Sequence, residues 1–185
     1  MTGLLLALLG TVLAALGARD QTLMARLAGA QGSRISALAV AFAVCCATAA
    51  FAAWAGSALS PFISARAGLL LAWLALFIAG MEMLVIVPGR APTEPTHSLG
   101  AMAFVLGAYQ LADASRFLIF AVAVMAAAPI PTGIGGAFGG AISLTAAWLS
   151  PDRFANPRIR LWRRLVGMAL LALAAGLLLP LLRRL

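Results

Sequence analysis

Asp20 and Asp113 stand out chemically because both lie inside runs of otherwise apolar residues. Asp20 sits in Gly17-Ala18-Arg19-Asp20-Gln21-Thr22, and Asp113 in Gln110-Leu111-Ala112-Asp113-Ala114-Ser115. They lie 93 positions apart in a chain of 185, and each is followed two residues on by a hydroxyl, Thr22 or Ser115. A carboxylate in a bilayer costs about 2.5–3.5 kcal/mol on insertion scales, so it faces a cavity or a partner rather than lipid. Two such acids at matched places in two halves imply a duplicated transporter with one central polar site. If the helices carrying them cross, Asp20, Asp113 and Gln110 offer carboxylate and amide oxygens, which suit Mg²⁺, Ca²⁺ or Mn²⁺ rather than thiolate-seeking metals. Glu82, between Met81 and Met83 in a third apolar run, is one more intramembrane acid. It is read as a further cavity ligand, or as a contact to another copy in a homo-oligomer.

The neighbouring residues have plainer readings. Gln110 and Asp113 are three apart and so share a helix face, as do Gly17 and Asp20. Thr22 and Ser115 point about 200° away from the aspartates, where a hydroxyl commonly satisfies a carbonyl of its own helix. Arg116, three after Asp113, is expected to make an intrahelical ion pair, and Arg26 to snorkel from a helix end. Cys45 and Cys46 are adjacent, cannot staple a fold, and read as small buried residues. His97 is the only histidine and lies in a proline-rich connector, which excludes a histidine-rich metal centre. No Ser–His pairing exists, and neither aspartate has the Tyr-Asp or Gly-x-Gly-Asp setting of an intramembrane protease. Neither an enzyme nor a resident cofactor is expected.

The elements that must position these groups follow from composition. Hydrophobic residues make up 64% of the chain, charged residues 10%, and the mean hydropathy is +1.06. A soluble domain is about half apolar and a quarter charged, so this is an integral membrane chain. All thirteen basic residues are arginine. They gather in loops and helix ends, as membrane topology requires, and form no face for a nucleic acid. The expected partner is the bilayer, a bacterial-type inner (plasma) membrane, with a divalent cation at the polar site.

A spanning helix needs about 20 mostly apolar residues. Six stretches qualify: about Gly3 to Ala28, Ile35 to Ala58, Ala67 to Val87, Leu99 to Ala127, Thr132 to Leu149, and Leu161 to Leu182. The expected fold is therefore an all-α polytopic membrane protein with six transmembrane helices in two inverted three-helix repeats. The first repeat covers residues 1–89, a polar connector 90–98, and the second repeat 99–185. An odd number of spans per repeat inverts the second half. Eight arginines (Arg26, Arg34, Arg90, Arg153, Arg158, Arg160, Arg163 and Arg164) fall on one side, against Arg66, Arg183 and Arg184 on the other. The bias places the first set in the cytoplasm and both termini on the non-cytoplasmic side. Met1-Thr2-Gly3-Leu4 lacks the basic residue of a signal peptide. Ala15-Leu16-Gly17-Ala18 resembles a cleavage site, yet the apolar pattern resumes after Thr22, so the first helix is read as retained. In the fifth, Gly135/Gly139 and Gly136/Gly140 are small-xxx-small pairs that let backbones approach closely.

The layout and motifs resemble uncharacterised protein family 0016, the transmembrane protein 165-like calcium/manganese exchangers. That family's mark is Glu-x-Gly-Asp-(Lys/Arg)-(Thr/Ser) in the first helix of each three-helix repeat. Asp20 with Thr22, and Asp113 with Ser115, match it, and Gly135-Gly136-Ala137-Phe138-Gly139-Gly140 is similar to its glycine-rich fifth helix. The resemblance implies export of Mn²⁺ or Ca²⁺ in exchange for protons, with Asp20 and Asp113 essential, Gln110 a neutral ligand, and Thr22 and Ser115 supporting. The departures are informative. The motif glutamates fall on Gly17 and Gln110, its glycines on Arg19 and Ala112, and its basic residues on Gln21 and Ala114. The alternative is a transport-silent structural or regulatory membrane protein whose site is filled by an Arg19–Asp ion pair. A third reading is proton-linked movement of another substrate, with Asp20 or Asp113 carrying the proton.

Overall fold

The computed structural model describes residues 1–32, 34–86, 98–156 and 158–182. Most of the expected connector, with His97, lies outside them. Among the described residues every regular element is a helix, and there is no strand. The elements are α1 (Thr2–Ala14), α2 (Arg19–Gln31), α3 (Ile35–Leu59), α4 (Ala65–Val85), α5 (Leu99–Leu111), α6 (Ala114–Ala126), α7 (Pro129–Leu149), α8 (Pro151–Ala155) and α9 (Arg158–Leu182).

The first and fourth apolar runs are not single helices. α1 and α2 meet at 62°, and α5 and α6 at 57°. The first break runs through Gly17, whose φ of +66° few residues other than glycine adopt readily. The second falls at Ala112 and Asp113, with Asp113 leaving the helix to cap α6. Gln110 and Asp113 therefore do not share a helix face. The i, i+3 rule fails there because the helix ends between them.

Local chemistry sets several other ends. Ser64 and Ser98 accept from the backbone N–H groups of Ala67 and Ala101, both at 3.3 Å, and start α4 and α5. α7 starts at Pro129 rather than Thr132, since a proline in the first turn gives up an N–H that has no helical partner. α9 begins at Arg158, and the preceding basic connector holds α8.

Among the described residues three helical segments are long and apolar enough to cross a membrane: Ile35–Phe62, Ala65–Val85 and Arg158–Leu179. Counting each bent pair as one span raises the number to five, and the chain is a helical membrane protein on that footing. α7 is 21 residues long, but its glycines dilute its hydropathy and it is not among them.

The packing is that of helices sharing a bilayer. The centre is lined by small residues, with Ala41, Ala49, Ala75, Ala121, Ala123 and Ala147 fully buried. Leu5, Leu9, Phe51, Trp54, Phe104 and Phe138 point outward. Lipid offers large apolar groups as good an environment as a core does, so close approach through small side chains governs association. α7 runs along α1 and α3, α9 along α4, and α3 and α4 flank α6. The glycines of α7 do what their spacing predicts. A Cβ on Gly135 would collide with the Leu4 carbonyl oxygen, and one on Gly139 would sit 2.7 Å from that of Leu8. On the neighbouring face, Gly136 makes room for Ile119, and Gly140 for the Cys45 sulfur.

Candidate functional site: paired helix breaks joined by buried polar groups

The two breaks are brought together. Gln110, the last but one residue of α5, donates from Nε2 to Asp20 Oδ2 at 3.2 Å. Asp20 Oδ1 accepts from the Gln21 N–H at 2.7 Å, satisfying one of the free donors at the start of α2. Gln21 ties the same break back on itself. Its Oε1 accepts from the Gly17 N–H at 2.6 Å, and its Nε2 donates to the Ser143 carbonyl of α7 at 2.9 Å. Gln110 is fully buried, and Gln21 is 2% exposed, so these bonds form out of water. A bond left unmade there would cost its full desolvation penalty.

Asp113 works on its own helix first. Its Oδ2 accepts from the Ser115 N–H at 3.1 Å and from the Ser115 hydroxyl, the usual N-cap arrangement. The two aspartates are thus not in the same register. Asp113 is the N-cap of α6, whereas Asp20 lies two residues beyond the N-cap of α2, Ala18. Asp20 and Asp113 are nevertheless within electrostatic range of each other.

Arg116 lies between them. Its guanidinium is 3% exposed and makes no ion pair with Asp113 within 4.0 Å, contrary to the intrahelical pair expected from spacing. The side chain turns into the core. Nη1 donates to Ser115 Oγ at 3.1 Å, Nε to Thr48 Oγ1 at 3.0 Å, and Nη2 reaches Cys45 Sγ at 3.4 Å. Thr48 Oγ1 lies 2.9 Å from Gln110 Oε1 and can donate to it. One guanidinium therefore reaches Asp113 through Ser115 and Asp20 through Thr48 and Gln110. Each bond in such a series polarises the next, so the charges at its ends are shared through it.

Glu82 is held beside the second break. Its Oε2 accepts from the Ala114 N–H at 3.1 Å, and its Oε1 is 3.9 Å from Arg163 Nη2. Arg163, 3% exposed, also donates from Nη1 to the Gly17 carbonyl at 3.0 Å. Thr22 is apart from this set; its hydroxyl donates to the Arg19 carbonyl at 3.1 Å, within its own helix. Arg19 is half-buried and makes no ion pair within 4.0 Å with Asp20 or Asp113. Among the described residues the buried cations are Arg116 and Arg163. Among the described residues no three His, Cys, Asp or Glu side chains converge as a ready-made metal centre. Any hard cation here would need amide, hydroxyl and backbone oxygens to complete its shell.

Thr48, Arg163 and Gln21 were missed as site residues. Thr48 had a faint signal as a hydroxyl in the middle of an apolar helix. Arg163 had none beyond its charge, because an arginine at a helix entrance is ordinary membrane topology.

Gln110→Leu tests the central contact. It leaves Asp20 Oδ2 buried without this donor, a loss of about 1–3 kcal/mol. Thermal denaturation of the purified variant in detergent should show that drop. A change under about 0.5 kcal/mol would mean that the bond carries no weight.

No protein-family model, curated protein or solved structure matches this chain.

Proposed function

We propose that the chain is a secondary transporter that exports a divalent cation, Mn²⁺ or Ca²⁺, in exchange for protons, as a divergent relative of family 0016. The observation that carries this reading is the meeting of two broken helices at their breaks, through Gln110 and Asp20. Interrupted helices free backbone groups and half-helix poles at membrane depth, and transporters build their ion sites from such elements. In this reading α7 is the sixth crossing, the two halves are inverted repeats, and both termini lie on the non-cytoplasmic side.

The chemistry follows from the groups present. Asp20 and Asp113 supply charge, Gln110 Oε1 supplies a neutral oxygen, and Ser115 fixes the Asp113 carboxylate. Glu82 closes the edge of the site, while Thr22 acts within its own helix. Three carboxylates (Asp20, Glu82 and Asp113) share this region with the buried guanidiniums of Arg116 and Arg163 and the half-buried Arg19. A cation and protons would neutralise the same carboxylates, so those two loads exclude each other. That exclusion is the condition for exchange.

A specific observation also favours the transport-silent alternative. Arg116 and Arg163 already place fixed positive charge where a transported cation would go, in the role first assigned to Arg19. One experiment separates the two: flux of Mn²⁺, Ca²⁺ and Mg²⁺ into proteoliposomes under an imposed pH gradient. Exchange predicts uptake that collapses with the gradient. No uptake by well-folded protein would sink the exchanger reading and leave a structural or regulatory membrane protein.

A further inference from the structure

We infer that Arg163 and Glu82 form a latch that ties the two helix breaks together beside the candidate site, which makes them positioning residues for transport. The latch rests on the transport reading for its purpose and on its own geometry for its existence. Glu82, from the last helix of the first half, accepts from Ala114, the first residue of α6 in the second half. Arg163, from the last helix of the second half, donates to the Gly17 carbonyl at the break in the first. Each half thus supplies the group that satisfies the other half's break, and the pair is joined by its own contact at 3.9 Å.

Donor and acceptor fit each break. The Gly17 carbonyl lies between the end of α1 and the N-cap of α2, and it accepts from the Arg163 guanidinium. An N–H at the start of α6 lies at a positive end and receives a carboxylate. The two latch residues also stand on helices in close contact. A Cβ on Gly80 would fall 2.9 Å from the Gly167 carbonyl, and one on Gly167 would fall 3.0 Å from that of Gly80. So close a contact fixes α4 on α9 within one turn of Glu82 and Arg163.

The latch is built to release. Arg163 Nε is buried with no hydrogen-bond partner, so the closed arrangement leaves the guanidinium short of full satisfaction. Asp113 and Glu82 are within electrostatic range of each other. A cation arriving at Asp113 competes with Arg163 for Glu82. Losing the Glu82 carboxylate leaves Arg163 Nη2 the Glu82 backbone carbonyl, at 3.4 Å. That weakens the hold of Arg163 on the Gly17 carbonyl and loosens the first break when the site is loaded.

Cys45 provides a readout that needs no transport. It is fully buried beside Arg116, while Cys46, the other cysteine of the chain, is exposed. In a Cys46→Ser background, the alkylation of Cys45 by a water-soluble maleimide in detergent micelles reports opening of the polar core. Arg163→Gln and Glu82→Gln should each speed it by about tenfold or more, because the rate follows the open population. Leu170→Ala cuts into the α4–α9 packing without touching the latch, and should stay within about twofold of the background rate. The double variant Glu82→Arg with Arg163→Glu keeps an ion pair, but its guanidinium cannot accept from the Ala114 N–H and its carboxylate cannot donate to the Gly17 carbonyl, so it should remain fast.

Slow alkylation in both single variants would overturn the latch. So would a Leu170→Ala rate matching theirs, or a slow rate restored by the exchanged pair, since ordinary stabilisation explains either. If Arg163→Gln fails to yield folded protein, Glu82→Gln decides the matter alone. Absence of metal flux in the wild type would sink the transport reading while leaving these rates as they stand.

Discussion

On the proposed exchanger reading, Asp113→Asn is expected to cut cation flux about 100-fold while the protein stays folded. The direction follows from the two tasks of this carboxylate. As the N-cap of α6 it accepts from the Ser115 N–H and hydroxyl, and asparagine caps nearly as well as aspartate. As a charge beside Glu82 and Arg116 it cannot be replaced by an amide. Losing one charged ligand is worth about 3 kcal/mol, and each 1.4 kcal/mol is about tenfold. Proteoliposome flux, with gel filtration to check the fold, measures both. Unchanged flux would remove Asp113 from the site, and loss of the folded protein would show that capping is its main task.

Gly135→Ala is expected to be the most destabilising glycine-to-alanine change among the described residues. The added carbon meets the Leu4 carbonyl group and lies 3.0 Å from the Leu4 Cα. All of these are backbone atoms of α1, so no side chain can rotate away, and α1 must separate from α7. The cost should reach at least about 3 kcal/mol, the upper end for overpacking. Gly176→Ala is the matching control. Nothing lies within 4 Å of the added carbon, and the better helix former should gain up to about 1 kcal/mol. Thermal denaturation of both variants in detergent checks the contrast. Equal stabilities would mean that α1 and α7 are not held by this contact.

Much of this architecture was legible because some of its signals are local. An acid in an apolar run is conspicuous wherever it falls, so Asp20, Asp113 and Glu82 could be picked out directly. The small-xxx-small pairs of α7 need only their own spacing to predict a close helix contact, and Leu4 and Leu8 provide it. The breaks were not legible. Ala112 is a good helix former, and nothing beside it demands an interruption. The interruption is held by Glu82, more than thirty residues earlier in the chain, and by Asp113 turning from ligand to cap. The same holds at Gly17, whose carbonyl is taken by an arginine from α9. Tertiary partners decided both, and a pattern read along one helix cannot contain them. Arg116 shows the same limit, since its spacing suggested a pair with Asp113 while the space left by Gly140 and the hydroxyl of Thr48 drew it inward.

The crossed supply of charge at Glu82 and Arg163 also bears on symmetry. If the first half paired with a copy of itself, it would bring Glu82 to a Gly17 carbonyl, a carboxylate against another acceptor oxygen. If the second half did so, it would bring Arg163 to an Ala114 N–H, a cation against a positive helix pole. The two-fold self-complementary dimer, the commonest closed assembly, is therefore electrostatically disfavoured for either half. The halves are obligate complements, and neither can stand in for the other.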